Sequence, residues 1–147
     1  MKTILLIHGA NLNLLGKRNP FHYGNLNLRQ LENLVKKEAK SCGLKVKSFH
    51  SNHEGALIDY IQQNSFSASG IIINAGAFTH YSYALHDALL DAHLPAIEVH
   101  LSDIKNRENW RRKSVIASAC KQVISGEKEK SYYKAITVLK EIIDLKA

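Results

Sequence analysis

The chain has 147 residues, enough for one domain (1–147) around a single buried core, and its 45% hydrophobic and 22% charged residues are ordinary for a folded globular protein. Its net charge of +7, with Lys36, Lys37, Lys40, Lys45 and Lys47 in one cluster and Arg111, Arg112 and Lys113 in another, raises nucleic acid as a partner; the aromatics do not interleave with these cations, so a solvated basic surface that draws small anions is the better reading. No apolar run reaches the ~20 residues of a membrane span, the run at the start stops at His8 short of a signal-peptide core, and Cys42 and Cys120 have no metal or redox spacing. The expectation is a cytoplasmic protein with reduced cysteines and no membrane partner.

In chain order, Ile4 to Ile7 reads as a buried parallel strand. Leu28, Leu31, Val35, Ala39 and Cys42 mark one face of a helix. Lys45 to Phe49 alternates polar and apolar, which suits a sheet edge. Ser51-x-x-Glu54 has the form of a capping box before Leu57, Ile58 and Ile61. Ile71 to Ile73 is a second buried strand, followed by a helix starting near Thr79 with the stripe Leu85, Ala88, Leu89, Ala92. Ala96 to Val99 and Val123-Ile124 are further buried strands, and Tyr132, Ile136, Leu139 and Ile143 face the last helix.

Such alternation implies an α/β fold: a flavodoxin-like three-layer sandwich, with a five-stranded parallel sheet of order 2-1-3-4-5 and helices on both faces. Ligands in such folds bind beyond the carboxyl ends of the strands, beside the point where strand order reverses. Three loops follow: those after Ile7, Ile73 and Val99.

The first, Gly9 to Gly24, is long for a connector and carries Asn11, Asn13, Arg18 and Tyr23 between glycines. It is either a glycine-rich turn or a functional segment. It has neither phosphate-loop nor dinucleotide spacing. Arg18 beside Tyr23 favours a phenolate, and lowering a phenol pKa by ~3 units takes about 4 kcal/mol. In the second loop Thr79 caps a helix and Asn74 ties a turn, or Asn74, His80 and the helix-start amides meet an anionic or hydroxylated ligand; both readings stand. In the third, Glu98 and His100 share a strand face. They are a hydrogen-bonded core pair, or a carboxylate that fixes the tautomer of a proton donor. Arg111 is within reach if the chain turns back. His50 and His53 have no further ligand set, so no metal is expected.

Gly9-Ala10-Asn11-Leu12-Asn13-Leu14-Leu15-Gly16-x-Arg18-x-Pro20-x-x-Tyr23-Gly24 resembles the opening signature of the type II 3-dehydroquinate dehydratases of the shikimate pathway. Ser51-Asn52-His53-Glu54-Gly55, Asn74-Ala75-Gly76-Ala77-x-Thr79-His80 and Ile97 to Ser102 carry the resemblance on, in family order across nearly the whole chain. It departs from the family pattern at His8, Ala10, Asn19, His86 and Asp103, where the family usually or often has Asn, Pro, Glu, Arg and Asn.

The resemblance implies a metal-independent, cofactor-free hydro-lyase that converts 3-dehydroquinate to 3-dehydroshikimate by trans elimination through an enolate. In that reading Tyr23 is the base, Arg18 lowers its pKa, and Asn11 with a water binds the enolate oxygen. His100, oriented by Glu98, protonates the leaving hydroxide. Asn74, Leu101 and Ser102 meet the substrate carboxylate, and His80 and Arg111 the ring hydroxyls. The family also implies trimers grouped as a dodecamer, with Asp87 serving a neighbouring subunit's site. A helix from Thr79 puts Asp87 about 12 Å along it, away from its own sheet's carboxyl edge and off the apolar stripe. The rival readings are a flavodoxin-like module binding a phosphorylated ligand and a basic nucleic-acid binder. The first lacks a phosphate fingerprint, and in the second the polar groups would not converge on a small pocket.

Overall fold

The computed structural model describes residues 1–146. Strands β1 (Lys2–His8), β2 (Leu44–His50), β3 (Gly70–Asn74), β4 (Ala96–His100) and β5 (Gln122–Ser125) form one parallel sheet in the order β2-β1-β3-β4-β5. This is the expected flavodoxin-like order. Helices α2 (Leu28–Ser41) and α6 (Glu129–Leu145) cover one face, and α3 (Glu54–Asn64) and α4 (Tyr83–Asp91) the other. Two one-turn helices, α1 (Pro20–Tyr23) and α5 (Asn109–Arg112), lie in the segments after β1 and β4.

The strands read as they do because of these two layers. Ile4 and Leu6 enter the core under α2 and α6, while Leu5 and Ile7 enter the core under α3 and α4, so β1 must be apolar at every position. At the sheet edge β2 exposes Lys45 and Lys47 while burying Leu44, hence its alternation.

Two local expectations are corrected. The capping box at Ser51 and Glu54 does not form. The Ser51 amide is still held by the His8 carbonyl at 3.1 Å as the chain leaves β2, His53 takes the cap position, and the Ser51 hydroxyl accepts from the His53 amide at 2.9 Å. Glu54 instead accepts from Ser82. A reciprocal box does open α2, between Asn27 and Gln30. The helix expected near Thr79 begins at Tyr83, capped by the Ser82 hydroxyl, because Gly76–His80 is a 3-10 turn whose Thr79 hydroxyl points inward at Glu98. Asp87 is therefore only about 6 Å along α4.

The loops after β1 and β3 cross in backbone contact. The Gly9 amide donates to the Asn74 carbonyl at 2.7 Å, and a Cβ on Gly9 would lie 2.1 Å from the Ala75 oxygen. Gly76, at φ +61°, would place a Cβ 2.5 Å from the Ala10 oxygen. Only glycine permits either approach. The crossing brings Asn11 and Asn74 to the same hollow.

Candidate active site

β4 supplies the most buried part of the site. Glu98 and His100 project from one face of the strand, and Glu98 Oε2 meets His100 Nε2 at 2.5 Å. The same carboxylate accepts the Thr79 hydroxyl at 2.6 Å and, on Oε1, the Ser114 hydroxyl at 2.6 Å. Burial alone would raise the Glu98 pKa, but the hydrogen bonds from His100, Ser114 and Thr79 outweigh it and hold the carboxyl below its usual range. A carboxylate fixed by three donors fixes the imidazole in turn, leaving the other ring nitrogen for chemistry.

Opposite stands the long loop, which is more ordered than a plain connector. Leu12–Leu14 forms a 3-10 turn, and α1 is capped by Asn19, whose side chain accepts from the Phe21 amide at 2.9 Å. Gly16 and Gly24 flank the arginine and tyrosine at φ +92° and +76°. Arg18 stacks over the Tyr23 ring, 3.8 Å from its centroid, and donates to the phenolic oxygen at 2.9 Å. A second guanidinium, from Arg107, donates to the same oxygen at 2.7 Å. Two cationic donors on one oxygen favour negative charge there.

Asn11, Arg18, Tyr23, Asn74, His80, His100, Leu101, Ser102 and Arg111 all line one cleft, together with Arg107, and Glu98 sits behind His100. Asn74 is held through both ends of its amide, accepting from the Gly76 amide at 3.1 Å and donating to the Tyr132 hydroxyl at 3.2 Å. His80 Nδ1 donates to the Lys113 carbonyl at 2.7 Å, and burial holds its pKa down, so Nε2 is a lone-pair acceptor. Arg111 is braced by Glu108 at 2.8 Å and stacks on Trp110. Asp87 does not line this cleft; its carboxylate is exposed beside His86. A larger groove of about 810 Å³ runs along β5 and α6, but it holds none of these residues, and of its charged side chains Glu127 is paired with Lys134 and Asp103 with Asn106. Among the described residues no group of three or more His, Cys, Asp or Glu side chains is placed to hold a metal.

Known proteins resemble this chain over nearly its whole length. The family model for class II dehydroquinases matches residues 2–140. The chain belongs to that family. It is 49% identical to a 3-dehydroquinate dehydratase of Caldicellulosiruptor bescii over 98% of this chain and 100% of the relative. The type II dehydroquinase structure from Butyrivibrio crossotus superposes with a TM-score of 0.91 at 46% identity, covering 94% of this chain and 97% of the other. That from Propionibacterium acnes also gives 0.91, at 33% identity over 96% and 97%.

Within this class II dehydroquinase the site residue that sequence reasoning missed is Arg107. A single cation, Arg18, was expected beside Tyr23. The available signal was the spacing of four between Arg107 and Arg111, but α5 begins only at Asn109, so the two reach the cleft from an irregular turn and a helix respectively.

Proposed function

We propose that this chain is one catalytic domain that dehydrates 3-dehydroquinate to 3-dehydroshikimate by trans elimination. The observation that carries the mechanism is the pairing of a phenol held by two guanidinium donors with an imidazole held by a buried carboxylate, both on the walls of one cleft. Tyr23, as phenolate, takes the proton on the carbon next to the ketone; the C–H pair moves into the enolate, whose oxygen is met by Asn11 through a water. The enolate then collapses, the C–O bond to the departing hydroxyl breaks, and His100 supplies the proton that makes it water. Glu98 keeps the resulting imidazole oriented. Arg18 and Arg107 balance the charge on the lid side. Asn74 and the Leu101-Ser102 segment hold the substrate carboxylate, while His80 Nε2 and Arg111 hold ring hydroxyls. The chemistry needs no metal or cofactor.

The loop from Gly9 to Gly24 acts as a lid, with Gly16 and Gly24 as hinges, because its Arg18 and Tyr23 close the cleft that a ring-sized substrate must fill. Asp87, exposed and outside its own cleft, completes the site of a neighbouring copy in an assembly of trimers grouped as a dodecamer. The cytoplasm is the proposed compartment; among the described residues no helix is long and apolar enough to cross a membrane.

The deciding assay is the ultraviolet absorbance of the conjugated enone on adding 3-dehydroquinate. The signal should form in the presence of a chelator, and borohydride added with substrate should leave the protein mass unchanged. A folded sample that forms no enone overturns the reading. Mixing Tyr23→Phe with Asp87→Ala subunits tests the shared site: activity should reappear once subunits exchange, and its absence after proven exchange would remove Asp87 from the site.

A further inference from the structure

A chain of polar side chains leaves the strand wall of the cleft and ends at the outward carboxylate of Asp87. It starts at Ser114, whose hydroxyl donates to Glu98 at 2.6 Å and accepts the Ala117 amide at 3.1 Å. The second bond opens the 3-10 turn Ala117–Ala119, which packs beside α4. Ser118, exposed on this turn, meets His86 Nε2 at 3.0 Å, and His86 Nδ1 meets Asp87 Oδ1 at 3.1 Å. A carboxylate only accepts, so Nδ1 carries a proton and donates. In the neutral ring Nε2 is then the lone-pair nitrogen, and it accepts from the Ser118 hydroxyl.

Such a tether is unusual where it stands. Leu85, Ala88 and Leu89 turn into the core, which leaves His86 and Asp87 off the packed face of α4. An aspartate in water on a helix ordinarily samples several rotamers. Here Asp87, with 74% of its side chain exposed, is held by a ring that is 21% exposed and anchored to a residue 32 positions away. The same side of α4 carries Tyr83 and Leu90, both exposed, at i−4 and i+3 from Asp87. Apolar groups gathered around one fixed carboxylate suit a face that another chain covers. The order hydroxyl, imidazole, carboxylate also serves nucleophilic serines, but there the carboxylate is the buried end. In this chain the carboxylate is the open end, so the array is aimed at Asp87 and not at Ser118.

We propose that His86 is a positioning residue that, braced by Ser118, aims the Asp87 carboxylate into the active site of a neighbouring copy. The inference rests on the dehydratase reading and on Asp87 serving that neighbouring site. A carboxylate held in place beforehand loses less freedom on meeting substrate than a free one. His86 lines no part of the cleft, so its loss falls on KM and not on the proton transfers.

The test measures KM and kcat for the wild type, His86→Ala, His86→Asn, His86→Gln and Ser118→Ala. Asp87→Ala is the reference, and light scattering gives the particle mass of each. Asparagine places an amide near Nδ1 and keeps a donor for Asp87; glutamine places it near Nε2 and keeps only the link to Ser118. KM should rise by about 3- to 10-fold in His86→Ala and His86→Gln and by about 2-fold in Ser118→Ala, with kcat within about 2-fold of wild type. His86→Asn should recover most of the loss, and every variant should keep the wild-type mass. A merely structural histidine would not separate the two amides. Should His86→Ala fail to fold, the asparagine and glutamine variants carry the comparison. Wild-type KM in His86→Ala beside an impaired Asp87→Ala overturns the brace and leaves the shared site standing. Equal KM for the two amides, a loss confined to kcat, or a changed particle mass overturns the brace as well. An Asp87→Ala enzyme as active as wild type removes the shared site and the brace together. Absence of the enone in the wild type removes the reaction itself, and the brace with it.

Discussion

The two walls of the cleft are built in opposite ways. On one wall Glu98 and His100 are part of a central strand, nearly without exposure, and every polar atom of the carboxylate is engaged by Thr79, Ser114 or His100. On the other, Tyr23 and Arg18 sit half-buried on the loop over 9–24, whose helical parts are single turns, and they are held mainly by each other and by Arg107. In the proposed roles, the acid is fixed by the core and the base by closure of its loop. Chemistry and stability should therefore separate on the lid and coincide on the strand.

Four sets of changes test that contrast. The largest effect is expected for the reacting groups: Tyr23→Phe and His100→Ala should each lower turnover by roughly 100-fold or more. Thermal melting should show Tyr23→Phe as stable as wild type and His100→Ala clearly destabilised, because only the latter leaves a buried carboxylate short of a partner. A Tyr23→Phe enzyme with near-normal turnover would remove the base from the lid. Next, Arg107→Ala should cost about 100-fold in kcat, with little change in melting temperature, because one of two donors to the phenolic oxygen is lost. A double variant with Arg18→Ala should fall short of the sum of the two, since both act on one oxygen.

The third change concerns acid. The Glu98 carboxyl is held below its usual range in the folded protein, so its contribution to stability is present above the unfolded value, near pH 4.3, and is lost as pH falls below it. Urea midpoints should drop more steeply between about pH 5 and 3 for wild type than for Glu98→Gln, which starts lower by about 1–3 kcal/mol. Equal slopes would mean that the strand wall carries no linked proton. The smallest effect is expected at the lid cap. Asn19→Ala should weaken the start of α1 by about 1 kcal/mol, seen as faster hydrogen exchange at the Phe21 amide with global stability unchanged.

The same contrast explains what could be read from the residues alone. Glu98 and His100 were legible because a strand period of two dictates that they share a face, and the buried runs around them dictate the strand. The stripe of α4 and the face of α6 followed from the 3.6-residue period in the same way. Arg107 was not legible, because the turn between Ser102 and Asn109 has no period to project. The Ser51–Glu54 pattern misled because a capping box is recognised by a spacing that a strand still held by His8 can also present. Thr79, readable as a helix cap, proved to belong to Glu98, a partner 19 residues away. Local pattern speaks for regular elements, and tertiary hydrogen bonds overrule it at their ends.

The crossing of the loops at Gly9 and Gly76 sets different rules for drift in the two halves of this site. A side chain at either position would have to displace backbone rather than another side chain, and the displaced segments carry Asn11 and Asn74 at once. Selection in a saturation library should therefore leave these two codons nearly monomorphic, although neither glycine carries a side chain. Solvent-facing codons of the lid, such as Lys17 and Phe21, have room to vary. Freedom to retune this loop depends on a joint that cannot itself be retuned.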